Sequence, residues 1–134
     1  MSMNKLCEDL KAAIKKGHET DTSVSEAELL ACKALDACLA LADEIQSIDL
    51  KTRMRKAGVR TIRAQAYMDE IAKHDKKPAE GYLDAAIALQ SAVQAAEQDL
   101  AEHEVELNRL KTYADVFAES HQYFRAIMKA GFGG

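Results

Sequence analysis

The chain has 134 residues, a formal net charge of −4, 48% hydrophobic and 30% charged residues. This is globular rather than disordered composition, and it supplies no global basic field to draw the molecule onto nucleic acid or anionic lipid. Six glycines and one proline against 24 alanines exclude collagen-like, linker-like and turn-rich all-β architectures and point to helix.

The first helix is expected over about residues 2–16, where Met3, Leu6, Cys7, Leu10, Ala13 and Ile14 recur on one face. Gly17 reads as its stop, so an N-terminal helix occupies 1–17, and Gly-His-Glu-Thr-Asp-Thr is a polar connector. The same first residues carry charges where an export signal needs an apolar stretch.

Ser23 followed by Glu26 has the spacing of a capping box and opens a second, long helix over 23–75. Its first half carries two adjoining apolar stripes. One is Val24, Glu28, Ala31, Leu35, Cys38, Ala42 and Ile45; the other is Ala27, Leu30, Ala34, Ala37, Leu41, Glu44 and Ile48. Two stripes call for two neighbours. Its second half carries one heptad seam, Leu50, Met54, Ala57, Thr61, Ala64, Met68 and Ile71, with Val59, Ile62 and Ala66 left over on another face. Neither early stripe continues in phase into the later seam. A bend or break is therefore expected near 46–50, where Ser47 or Asp49 could cap a restart, and Gly58 is a second weak point.

Lys76-Lys77-Pro78 ends this helix, and Pro78 can sit in the first turn of the next. From there a strict 4-3 series runs Tyr82, Ala86, Leu89, Val93, Ala96, Leu100, His103, Leu107, Leu110, Ala114, Phe117, His121, Phe124, Met128. It predicts a single helix over 78–130, about 75 Å long, with a coiled-coil seam, followed by a flexible tail at 131–134.

Charge ties the two long helices together. Residues 51–63 hold Lys51, Arg53, Arg55, Lys56, Arg60 and Arg63 without an acidic residue, and 97–106 hold five acidic residues without Lys or Arg. If the chain reverses near Lys77, these blocks fall opposite one another in an antiparallel hairpin. The expected fold is all-α in a single domain: a long, coiled-coil-like helical hairpin with the N-terminal helix making a three-helix bundle at one end. Segments 50–75 and 79–104 extend from the bundle as a two-helix arm.

Motifs that carry chemistry are missing. The residues three before each histidine are Lys15, Ile71, Leu100 and Ala118, so no Glu-x-x-His metal pair exists. There is no Cys-x-x-Cys, His-x-x-x-His, glycine-rich phosphate loop or nucleophile elbow. No catalytic residue, metal ligand or cofactor is expected, and a cofactor-binding helical bundle is the least supported alternative. His103 and His121 share the seam but stand about 27 Å apart along one helix, too far for a common site. Hydrogen bonding across the bundle, or a half-open interface, is the expected role for each.

The longest uninterrupted apolar run, Ala37 to Ala42, is far short of the roughly 20 residues that span a bilayer. Cys7, Cys32 and Cys38 cannot all pair within one chain, and free thiols suit a reducing compartment. The expectation is a cytoplasmic, non-enzymatic protein that self-associates, as a dimer in the simplest form, or binds partner helices as an adaptor, assembly or chaperone module. The interaction residues singled out are Val59 and Ile62, as a stripe the hairpin leaves uncovered, and Arg53, Lys56, Arg60, Arg63 and Tyr67, as a basic stripe. That stripe also carries the alternative reading, a nucleic-acid-associated protein that follows phosphates with residues 51–63.

Overall fold

The first helix, α1 (Met3–Glu19), runs through Gly17 instead of ending there. In this computed structural model, which describes residues 3–20 and 22–133, Gly17 is buried. A Cβ added to it would lie 2.8 Å from Leu30 Cδ1 and 3.0 Å from Phe124 Cζ. The glycine is there for close packing. Two hydroxyls end the helix: Thr20 Oγ1 donates to the Lys16 carbonyl at 3.0 Å and Thr22 Oγ1 to that of Gly17 at 2.7 Å.

The second helix, α2 (Val24–Ala72), begins as its capping signature predicts, with Ser23 Oγ accepting the Glu26 N–H at 3.2 Å. It is unbroken through 46–50 and through Gly58, so the break that was one of the two expectations there is absent. Asp49 does not cap a restart; it pairs with Arg53 at 3.1 Å. The apparent change of register dissolves once burial is followed along the helix. Ala27, Ala31, Ala34, Leu41, Thr52, Ala66 and Glu70 are buried, and Cys38, Ile45, Ile48, Val59 and Ile62 are partly so. With Arg55 included, the positions from Ala27 to Ala66 make an uninterrupted 4-3 series. Thr52 fits it by turning its hydroxyl back onto the Ile48 carbonyl at 2.7 Å.

A connector with short bonds from Lys73 N–H to Glu70 O and from His74 N–H to Ile71 O leads past Pro78 into α3 (Glu80–Ala88). The last helix, α4 (Ser91–Gly133), follows after a break at Leu89 and Gln90, so the single helix expected over 78–130 is two. Gln94 holds the break: its side-chain amide donates to the Ala88 carbonyl at 3.3 Å. The break also shifts phase. Leu83 and Ile87 are buried in α3 where Tyr82, Ala86 and Leu89 were expected, and Leu89 is 76% exposed. From Val93 onward the expected seam holds, with Val93, Leu107, Leu110, Phe117 and Phe124 buried. Helix α4 continues past Gly131 to Gly133, in place of the flexible tail expected at 131–134; Gly134 lies outside the described residues.

The four helices, with no strand among the described residues, sort into two compact units. One comprises Met1–Gln46 and Asn108–Gly134 and is the expected three-helix bundle of α1, the first part of α2 and the end of α4. Alanines on α2 face inward here, and Phe117 and Phe124 are fully buried. Burial of each such ring is worth about 1.5–3 kcal/mol. The Tyr113 hydroxyl donates to Glu8, tying α4 to α1. That bond, with burial, raises the Tyr113 pKa above its ordinary value.

The other unit, Ser47–Leu107, is an antiparallel hairpin of the second part of α2 and the first part of α4, with α3 at the reversal. Its core cluster is Ala66, Ile87 and Val93, with Ile62 and Tyr67 packed against it. The basic and acidic blocks do face each other. Arg55 Nε lies 2.6 Å from Asp99, and Arg63 pairs with Glu97.

Candidate functional site

Within the Ser47–Leu107 unit, α2 has two apolar faces with opposite fates. Val59, Ile62 and Ala66 turn inward, Ile62 and Ala66 onto α3 and the start of α4. Leu50, Met54 and Met68 turn outward, 61%, 63% and 62% exposed. Between them Ala57, Thr61 and Ala64 are also exposed. The Thr61 hydroxyl donates to the Ala57 carbonyl at 3.2 Å and so is satisfied within the helix. This reverses the expected assignment. The heptad seam Leu50–Met68 lies open, and Val59 and Ile62, expected as the uncovered stripe, are half-buried, Ile62 against the core cluster.

The basic residues divide in the same way. Arg63 is spent on Glu97 across the hairpin. Arg53, Lys56 and Arg60 are exposed; Arg53 pairs with Asp49, while Lys56 and Arg60 enter no ion pair among the described residues. Arg53 and Arg60 directly flank the open seam on one side, and Lys51, Gly58 and Gln65 flank it on the other. Tyr67, expected in the basic stripe, is half-buried, and its hydroxyl donates to Glu80 at 3.1 Å, with Lys77 5.9 Å from the ring centre.

A second cluster surrounds Glu70 at the reversal, and sequence reasoning did not single it out. Glu70 is buried, with His74 Nε2, Lys73 Nζ and the Tyr82 hydroxyl at 3.3, 3.3 and 3.2 Å. The bond from His74, and then those from Lys73 and Tyr82, hold its carboxyl below the ordinary carboxylate range. Lys77, 2.9 Å from Glu80, does the same for that carboxyl, with Tyr67 assisting. The bonds from Tyr82 to Glu70 and from Tyr67 to Glu80 join α2 to α3, so the cluster fastens the chain reversal. The i, i+3 and i, i+4 spacing of Glu70, Lys73 and His74 was visible in the sequence; the inward turn of Glu70 was not.

The seam histidines are structural hydrogen-bond donors. His103 Nδ1 reaches the Asp99 carbonyl at 2.8 Å, and His121 Nδ1 reaches the Ala31 carbonyl on α2 at 2.9 Å. Cys7 is buried and Cys38 half-buried, and desolvation raises both thiol pKa values. An open groove of about 580 Å³ between α1 and α4 is lined by Ile14, His18, Val116 and Tyr123 with charged residues at its rim. Among the described residues no three His, Cys, Asp or Glu side chains are placed to share a metal ion. No described helix is long and apolar enough to cross a membrane. No family model matches the chain, and neither does any curated protein or solved structure. Large apolar side chains are also exposed elsewhere, Leu29, Leu39, Leu89 and Val105 among them, but the open seam of α2 is the one that also carries an adjacent basic row.

Proposed function

We propose that this protein is a non-enzymatic, cytoplasmic interaction and assembly module whose binding surface is the outer face of α2. The observation that supports this reading is the open seam of Leu50, Met54 and Met68, repeated at heptad spacing on a helix whose opposite face already serves the fold. A row of large apolar side chains left in water is costly unless another surface covers it, and such rows mark interaction sites. The repeat of 3.5 residues fits a helix as the covering element, whether from a second copy or from another protein.

The test is the association state of the wild type and of Met54→Asp/Met68→Asp, by light scattering and by capture from extract of the native host. Association with itself or with a partner is expected, and the double substitution should abolish it with helical content unchanged. Association that survives the double substitution, or a monomer that captures nothing, would contradict the reading.

A further inference from the structure

The outer face of α2 carries enough information to choose among its possible occupants. Its apolar centre is shallow. Ala57, Thr61 and Ala64 form the floor, and a Cβ added at neighbouring Gly58 would meet nothing within 4 Å. Leu50 and Met54 bound the floor at one end and Met68 at the other, over about 27 Å of helix. Small residues between large ones let a second helix approach closely and insert its own bulky side chains, and methionine adapts to them.

The flanks then decide whose helix it is. Placing Leu50 and Met54 as neighbouring core positions puts Arg53, Arg60 and Tyr67 in one flanking row, Arg53 carrying its exposed pair to Asp49, and Lys51, Gly58 and Gln65 in the other. A second copy packed antiparallel about the middle of this stripe would set Arg60 against its own counterpart and Lys51 against Gln65. Packed in parallel, it would set Arg53 against Gly58 and Arg60 against Gln65. Neither arrangement forms one attractive charge pair, and the first creates a repulsion. The acidic residues Glu97 and Asp99, which could have offset it, are already paired with Arg63 and Arg55 inside the hairpin. A nucleic acid would engage the arginines but leave the apolar floor in water, and a bilayer would find only three large side chains to take up.

Resting on the reading that this face is an interface, we infer that its occupant is an acidic amphipathic helix of another protein. Its large apolar residues would fill the Ala57–Thr61–Ala64 floor, and its Asp or Glu residues would flank them against Lys51, Arg53 and Arg60.

The probes are two labelled synthetic helices of about 21 residues, six turns, with leucine at the core heptad positions. One carries glutamate at every flanking position and the other lysine. The glutamate helix should bind the full-length protein one to one, at least about tenfold more tightly than the lysine helix at low salt, with the difference shrinking as salt is raised. Arg53→Glu/Arg60→Glu should invert that preference, and Met54→Asp should remove binding of both helices. All three substitutions fall on exposed positions, so unchanged helical content and melting temperature show that the variants are folded. Equal affinity for the two helices, or binding that survives Met54→Asp, would overturn the inference. A particle of twice the chain mass that Met54→Asp dissociates would overturn the acidic partner but leave the interface standing. Binding of duplex DNA or phosphatidylserine vesicles that is lost in Arg53→Glu/Arg60→Glu and kept in Met54→Asp would overturn both. A monomer that binds none of these probes would do the same.

Discussion

Gly17 and Gly58 lie inside helices and look alike in sequence, yet they do opposite things. Gly17 admits Leu30 and the Phe124 ring to within van der Waals reach of the α1 backbone. Gly58 has open space where a side chain would go. Gly58→Ala should therefore stabilise the protein by about 0.5–1 kcal/mol through helix propensity alone. Gly17→Ala should destabilise it, because overpacking beside a fully buried ring costs about 1–3 kcal/mol and outweighs that gain. Urea denaturation of the two variants reads both signs. Stabilisation by Gly17→Ala would mean that Phe124 moves freely and that the close approach is not required.

Glu70 makes the second prediction at this scale. Its carboxyl is held low in the folded chain by His74, Lys73 and Tyr82, so the ionised form favours folding. That contribution is complete above the unfolded carboxylate value of about 4.3 and is lost as pH falls through the lower folded value. The melting temperature should drop on acidification below about pH 4.5. Glu70→Gln should start lower at neutral pH and drop less. Glu80, held down by Lys77, keeps part of the drop in that variant. An identical acid slope in wild type and Glu70→Gln would show that the cluster does not fasten the reversal.

At the scale of elements, the helical class, the hairpin and the three-helix bundle could be read from periodicity and from matched blocks of charge. What could not be read was which α2 face turns inward. Apolar counting favours Leu50, Met54, Ala57, Ala64 and Met68, because the true inward series passes through Thr52 and Arg55. Neither residue is apolar: Thr52 is buried with its hydroxyl bonded to its own helix, and Arg55, half exposed, lies in register with the series and reaches Asp99. The buried series Ala27, Ala31, Ala34, Cys38, Leu41, Ile45 and Ile48 draws on both early stripes, so extending either stripe alone misses its continuation through Thr52 to Val59, Ile62 and Ala66. The break at Leu89–Gln90 carries no glycine or proline and was invisible for that reason. The candidate site was legible in its parts, a spare apolar stripe and an adjacent basic row, but with the two stripes exchanged.

The charge match between α2 and α4 is testable at this scale. Arg55 and Asp99 are each about half exposed, as are Arg63 and Glu97, so each pair should contribute no more than about 1 kcal/mol. Reversing Arg55 to Glu and Asp99 to Arg together should recover part of what either substitution loses alone. Lys56→Glu, outside these pairs, should show no coupling to Asp99→Arg. Additive losses for Arg55 and Asp99 would remove the pair from the account of the hairpin.

For the whole molecule, one allocation matters most: α2 turns its Val59–Ile62–Ala66 face inward and leaves its Leu50–Met54–Met68 face exposed, the surface proposed above for a partner. The melting temperatures of Ile62→Asp and Met54→Asp, compared in the purified protein, test that allocation directly. A charge placed beside Ala66, Ile87 and Val93 should cost more than about 3 kcal/mol, whereas one at an exposed position changes stability by about 0.5 kcal/mol or less. A fall of about 10 °C or more is expected for Ile62→Asp and of no more than about 2 °C for Met54→Asp. The opposite order, with Met54→Asp unfolding the protein and Ile62→Asp tolerated, would place the Leu50–Met54–Met68 seam in the core and leave no open face on α2.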